Sequence, residues 1–239
     1  MYTIDLHTHT RFFHGFSGRP TPFDQVGVKL LAEVARMRGI DGFATTNHDY
    51  YQEFSVDGHV SVIPGIEVTT TRGHLLVVGP DPPMATKPGA LTPEEVVDLA
   101  HERNCAVIVP HPYRNSTVRE ADASFDALEL NGKGFDHTPV EQLASHLDLP
   151  LVGSSDAHYP FELGRAFTRI DVDELTPKTV VEAIKDGRVE AFVDDRLSQR
   201  LLRSLYRTIH THKGWLETPA PPGLGTPPGE DDHHGSAIE

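Results

Sequence analysis

Histidines and carboxylates recur in this chain where short apolar runs end, at spacings suited to holding metal ions. The first run closes in Asp5-Leu6-His7-Thr8-His9. Residues two apart on an extended strand project from the same face, so His7 and His9 point together and can grip one metal ion or two neighbouring ones. An isolated His-x-His pair also arises by chance, or as solvated surface histidines, so the pair gains meaning only from repetition. His48 follows a second apolar run, Glu67 lies inside a third, and His74 stands behind Gly73 at the start of a fourth. His111 comes directly after Val109-Pro110, and Gly153-Ser154-Ser155-Asp156-Ala157-His158 adds a carboxylate and an imidazole two apart.

Each of these has a plainer reading. Glu67, flanked by Ile66 and Val68, can be a salt-bridged carboxylate; burying one without a partner is costly, which favours the ligand reading. His74 can be a satisfied core histidine. Taken jointly, the set reads as a metal site of mixed nitrogen and oxygen ligation, suited to Mn, Zn or Fe.

The elements that must position these groups alternate. Extended runs are expected at 2–6, 42–46, 60–63 with 66–70, 74–78, 105–109, 127–130, 151–153 and 167–170. Helices are expected at 23–37, from Thr92 to about 103, at 139–146, 176–186 and from about 197 to 212. Thr21-Pro22 supplies a cap and a first-turn proline, and Val26, Leu30, Leu31, Val34 and Ala35 give the first helix its apolar face. Thr92 with Glu95 forms a capping box. Strands separated by helices imply parallel pairing through right-handed crossovers, and about seven such units fit a closed or distorted barrel better than two domains. An open doubly wound sheet is the alternative. In a parallel barrel the C-terminal strand ends gather on one face, and every group above except His74 falls at such an end.

The totals are ordinary for a soluble globular protein. The formal charge is -14, from 35 acidic and 21 basic residues, which disfavours long nucleic acids as partners. No apolar run is long enough to span a membrane and no leader pattern opens the chain, so a cytoplasmic protein with no membrane partner is expected. Cys105 lies in an apolar segment and reads as a buried, inert thiol. The prolines and acids of 217–239 read as a disordered tail.

The ordered series Asp5-Leu-His-Thr-His-Thr10, Thr46-Asn-His48, Pro64-Gly-Ile-Glu67, Gly73-His74, His111-Pro112 and Gly153-Ser-Ser-Asp-Ala-His158 resembles the PHP (polymerase and histidinol phosphatase) family, most nearly its small stand-alone phosphoesterases. The likeness covers about residues 1–195, followed by a helix over 196–216 and the tail. It implies an α/β fold, a distorted (β/α)7 barrel, binding two or three divalent ions. His7, His9, His48, Glu67, His74, His111, Asp156 and His158 match its ligand positions. Three departures stand out. The family usually has Asp or His six residues past the second histidine, where this chain has Gly15; the adjacent His14 is read as the replacement through a shifted loop, the alternative being one metal fewer. Asn47 stands where Asp is common, altering a contact behind the ligands rather than the ligand count. A further family histidine near the sixth strand end is absent from Leu128-Glu-Leu-Asn131; Asn131 or His137 are substitutes, His137 reading better as a loop residue.

The resemblance implies hydrolysis of a small phosphomonoester or phosphodiester by a metal-activated hydroxide. His9 or His158 is the candidate proton donor, although a ligating histidine suits that role poorly and metal-bound water is the alternative. Arg114 and Arg165 are candidates to grip the phosphate of a small phosphorylated substrate, with Lys133 and Arg11 behind them; each has a reading as a solvated cation. Three rivals stay open. A metal hydrolase of the amidohydrolase type is disfavoured because no lysine lies at strands three to five. A short-oligonucleotide or nucleotide phosphoesterase and a non-catalytic metal-binding module complete the set.

Overall fold

A computed structural model describes residues 1–11, 20–56, 58, 60–134, 136–194 and 196–214. His14 and the tail 217–239 lie outside the described residues, so the expectations placed on them have no structural counterpart here.

The strands are β1 (Tyr2–Thr8), β2 (Gly42–Thr45), β3 (Ser61–Thr70), β4 (Gly73–Val78), β5 (Ala106–Val109), β6 (Ala127–Asn131), β7 (Leu151–Ser154), β8 (Ala166–Ile170) and β9 (Val189–Val193). The helices are α1 (Pro22–Arg38), α2 (Pro93–Glu102), α3 (Thr138–Leu147), α4 (Pro177–Lys185) and α5 (Leu197–His212). All nine strands form one sheet in the order β7-β6-β5-β4-β3-β2-β1-β8-β9. It bends into a nearly closed barrel: just past β7, the Ala157 N–H donates to His7 O at 3.1 Å and the His9 N–H donates to Ala157 O at 2.8 Å. No helix among the described residues is long and apolar enough to cross a membrane.

The distorted α/β barrel is therefore present, but its strands are not all parallel. β1–β2–β3 and β5–β6–β7 pair in parallel, whereas β4 is antiparallel to both β3 and β5, and β8 to both β1 and β9. The cause of the first reversal is local. Only Thr71 and Arg72 separate β3 from β4, too few for a crossover, so the chain makes a hairpin. β9 (Val189–Val193) has no counterpart among the expected extended runs.

Helix α1 begins as its sequence suggests, with Asp24 Oδ2 accepting the Thr21 N–H at 2.6 Å, and ends at Gly39 in the left-handed region. Its buried face differs from the expected one. Val28, Leu31, Ala32 and Ala35 pack with Phe43 and Leu163, while Val26 and Leu30 are exposed. Two helical stripes fit the apolar pattern, and Gly27 selects between them. A Cβ there would fall 1.8 Å from Thr10 O, so glycine alone lets this side of the helix meet the backbone just past β1. The capping box of α2 forms as expected, with the Thr92 N–H donating to Glu95 Oε2 at 2.8 Å. Leu75 and Val77 of β4 pack under α2 and α3, while Leu76 and Val78 pack with α4. That strand is covered on both faces, which explains its continuous apolar run.

Gly153 sets how closely β7 approaches the far edge of the sheet. A Cβ would meet Phe167 O at 2.3 Å and Phe192 O at 2.8 Å, both backbone atoms. Gly153→Ala is expected to destabilise the fold by about 3 kcal/mol, the upper range for overpacking, because neither obstacle can rotate away. Urea unfolding of the two proteins measures this; an unchanged midpoint would show that the sheet yields there.

Candidate metal centre

One rim of the barrel gathers the histidines and carboxylates. His7 is in β1 and His9 follows it; His48 lies three residues past β2, bridged by backbone pairing to Glu67 in β3. His111 and Asp156 each sit two residues past their strands, both with positive φ, 32° and 52°. Such conformations cost energy in non-glycine residues and turn the following chain sharply. His74 was the misfit in a parallel barrel. Because β4 runs backwards, its first turn lies at the same rim, opposite Thr69.

Glu67 is the centre of the arrangement. Its carboxylate lies 2.8 Å from His74 Nδ1, 3.1 Å from His48 Nδ1, 3.3 Å from His7 Nε2, 3.4 Å from His9 Nε2 and 3.5 Å from His111 Nε2. Asp156 lies 3.6 Å from His9 Nε2, 3.7 Å from His7 Nε2 and 3.1 Å from His158 Nδ1. The donor atoms form four overlapping triads, each within 4.8 Å: His9/His48/His158, His7/His9/Asp156, His7/Glu67/His111 and His48/Glu67/His74. Every sequence-derived ligand among the described residues belongs to at least one of them.

The donors have the chemistry a divalent cation needs. His7 Nδ1 is 2.7 Å from Glu129 Oε1, so its proton sits on that nitrogen and Nε2 presents a lone pair. That lone pair faces the oxygens of Glu67, and neither His7 Nε2, His9 Nε2 nor either Glu67 oxygen makes a hydrogen bond of acceptable geometry. Buried acceptors facing acceptors repel unless a cation lies among them. Burial pushes His48 and His111 down to about 4 and holds His9 well below the usual histidine range, keeping these rings neutral, as ligands must be. Burial opposes charge on His7 and on Glu67 too, but the opposite charges around them outweigh it. The carboxylates of Glu129, Glu67 and Asp156 raise His7 well above its ordinary value, and the surrounding imidazoles lower Glu67 well below its own, so without an ion a proton stands in for it at Nε2. A rim that draws in a proton this strongly will also draw in a divalent ion. The residues present fit such a group.

Glu129, fully buried in β6, is the residue that sequence reasoning missed. Besides His7, it accepts from Ser154 Oγ at 2.6 Å, from the His111 N–H at 2.7 Å and from Asn131 Nδ2 at 2.8 Å. Carboxylates behind metal-binding histidines fix the ring and its tautomer. Its only signal was a glutamate alternating with leucines in Leu128-Glu129-Leu130. Asn131 serves Glu129 rather than the triads, and His137 Nε2 lies 3.0 Å from Asn131 O in the loop before α3. Asn47 accepts the Thr10 N–H at 3.0 Å through Oδ1, a contact behind the histidines as expected.

The cations separate into two groups. Arg114 pairs with Asp156 Oδ2, and Lys133 Nζ lies 3.4 Å from the same oxygen and 3.2 Å from His158 Nδ1. Arg165 is not brought to the rim: it is buried, with Nε donating to Gln199 Oε1 at 2.8 Å and Nη1 lying 3.5 Å from Glu162 Oε1. Arg11 lies 3.5 Å from Asp24 and over the Tyr50 ring.

Comparison with known proteins agrees with the fold. Residues 135–189 match the PHP-associated family model. An uncharacterized protein of Methanocaldococcus jannaschii is 28% identical over 136 residues, 54% of this chain and 77% of its own length. PsfC from Pseudomonas syringae has the same fold at 17% identity, with a TM-score of 0.68 over 89% of this chain and 98% of its own. A two-domain protein from Bacteroides vulgatus containing a predicted PHP-like metal-dependent phosphoesterase matches with a TM-score of 0.58 at 18% identity, over 80% of this chain and 64% of its own. The lesion-specific endonuclease PfuEndoQ from Pyrococcus furiosus gives the same score at 22% identity, over 80% and 57%. The chain thus carries a PHP-associated segment over 135–189 and has a fold similar to that of PHP-like structures.

Proposed function

We propose that this protein is a metal-dependent phosphoesterase that hydrolyses a small phosphomonoester or phosphodiester. The observation that carries this is the shared use of His7, His9, His48 and Glu67 by four overlapping donor triads at one barrel rim. Overlap of that kind holds more than one ion close together, with His7, His9, His48, Glu67, His74, His111, Asp156 and His158 as ligands. The PHP-like phosphoesterase and the endonuclease among the structural neighbours support the reaction class. Bound divalent ions supply Lewis acidity toward phosphoryl oxygens and an acidified water.

The chain's own residues do the rest. Glu129 holds His7 in the tautomer that leaves Nε2 a lone pair. Arg114 and Lys133 hold Asp156 ionised: burial raises its pKa, but these two cations, with His7 and His158, lower it well below the usual range. Arg114 is the cation placed to meet a phosphoryl group beside the triads, its guanidinium already facing the rim. His158 has two exclusive roles. Donating Nδ1–H to Asp156 O, 3.1 Å away, leaves Nε2 a ligand; accepting from Lys133 leaves Nε2 the proton carrier. The acidic chain suits a small substrate better than a long nucleic acid. We place the protein in the cytoplasm.

The test is a screen of phosphomonoesters and phosphodiesters with added Mn2+, run beside His7→Ala and Asp156→Ala. Turnover is expected in the wild type and in neither variant, with metal-free folding preserved in both. Hydrolysis of neither ester class, with metal binding and stability lost together in the variants, would leave a structural metal module instead.

A further inference from the structure

The C-terminal helix reaches the metal centre through a buried chain of polar groups. Tyr206 OH donates to Glu162 Oε1, and its ring lies 5.1 Å from the Arg165 guanidinium and 5.6 Å from Lys133 Nζ. Gln199, two turns earlier on the same helix, accepts from Arg165 Nε at 2.8 Å. Glu162 is fully buried, and its second oxygen accepts the His158 N–H at 2.8 Å and the Tyr159 N–H at 3.1 Å. Lys133 Nζ lies 3.9 Å from that oxygen while also donating to Asp156 O. Glu162 thus grips the backbone of the segment that presents Asp156 and His158, and α5 grips Glu162.

We propose that Tyr206 and Gln199 are positioning residues for the Asp156–His158 segment, acting through Glu162, Arg165 and Lys133. This rests on the reading of the rim as a metal centre. The physical case lies in what each group lacks alone. A buried carboxylate needs its oxygens satisfied in fixed directions, or it rotates toward the nearest cation. Glu162 has Arg165 and Lys133 on two sides, and either would draw it off the His158 N–H. The Tyr206 hydroxyl holds Oε1 in place, leaving Oε2 for the backbone, while the ring face accommodates both cations. Gln199 keeps Arg165 from collapsing onto Glu162. Asp156 is held at positive φ, so the turn depends on such outside support.

The experiment measures Mn2+ binding by calorimetry on the full chain, with thermal unfolding of the metal-free protein alongside. Tyr206→Phe keeps the ring and removes only the hydroxyl. It is expected to weaken binding at the triads containing Asp156 or His158 by about tenfold, in the range for groups that orient ligands, with a small change in metal-free unfolding. Arg203→Met is the comparison, since Arg203 docks α5 through Asp194 O at 2.9 Å. It is expected to lower the unfolding temperature while leaving Mn2+ affinity unchanged. Wild-type affinity in Tyr206→Phe, or an equal loss in Arg203→Met, overturns the proposal. If Tyr206→Phe does not fold, Gln199→Met decides: selective loss at the same triads supports it and unchanged affinity overturns it. A wild type that binds no Mn2+ defeats the metal reading itself, an outcome distinct from a failure of the helix to position it.

Discussion

Replacing Glu67 by Gln is expected to cut turnover by more than about a hundredfold and to lower the number of Mn2+ ions bound. Groups that merely orient a ligand are worth about 10- to 100-fold, and Glu67 is no such group. Five imidazole nitrogens lie within 3.5 Å of its carboxylate, and it belongs to two of the four donor triads. Gln keeps the shape but removes the charge and turns one acceptor into a donor. A donor N–H aimed among imidazole lone pairs competes with a cation for the same place. The fold has less at stake, because Val68, Leu75 and Leu76 around the site are unchanged. The expected signature is a folded protein by circular dichroism, fewer ions by calorimetry, and phosphoesterase activity near background. Full Mn2+ stoichiometry in Glu67→Gln would mean that the metals, if any, bind elsewhere.

What the sequence revealed and what it hid follow from the range of the interactions involved. The period of two that aligns His7 with His9, and the positions of His111 and Asp156 just past apolar runs, are local properties, so the ligands could be read directly. His74 needed one further fact, the direction of β4, which the two-residue link after Thr70 already contained. Glu129 stayed hidden because its meaning lies in residues distant in the chain; His7 is 122 positions away. Arg165 looked like a rim cation because Leu163-Gly164-Arg165 follows the Asp156–His158 segment closely. Its burial comes from α5, whose Gln199 lies 34 residues further on. The face of α1 was ambiguous for another reason: its apolar residues cover more than half the helix, and a steric contact at Gly27 decides which half turns inward.

Glu129 provides the second large effect, and its two substitutions are expected to fail differently. Glu129→Ala removes the acceptor of four buried donors: His7 Nδ1–H, the Ser154 hydroxyl, the His111 N–H and Asn131 Nδ2. Each orphaned buried donor costs about 1–3 kcal/mol, so with partial relaxation the loss is about 4 kcal/mol or more, in the far tail for single substitutions. Chemical denaturation of the metal-free protein measures it. Glu129→Gln keeps the volume and must aim its amide NH2 at one pair of these donors. The His111 N–H belongs to the backbone and cannot invert, so the amide oxygen stays there and the NH2 turns toward His7 and Ser154. The hydroxyl can rotate to accept. His7 can accept only by moving its proton to Nε2, the nitrogen that faces Glu67 and Asp156. The stability cost is then about 1–2 kcal/mol, while Mn2+ affinity falls by about 10- to 100-fold because one ligand lone pair is gone. Nitrogen chemical shifts of the His7 ring would report the change of tautomer. Tight Mn2+ binding in Glu129→Gln, with His7 still protonated at Nδ1, would show that the carboxylate supports the fold and not the metal.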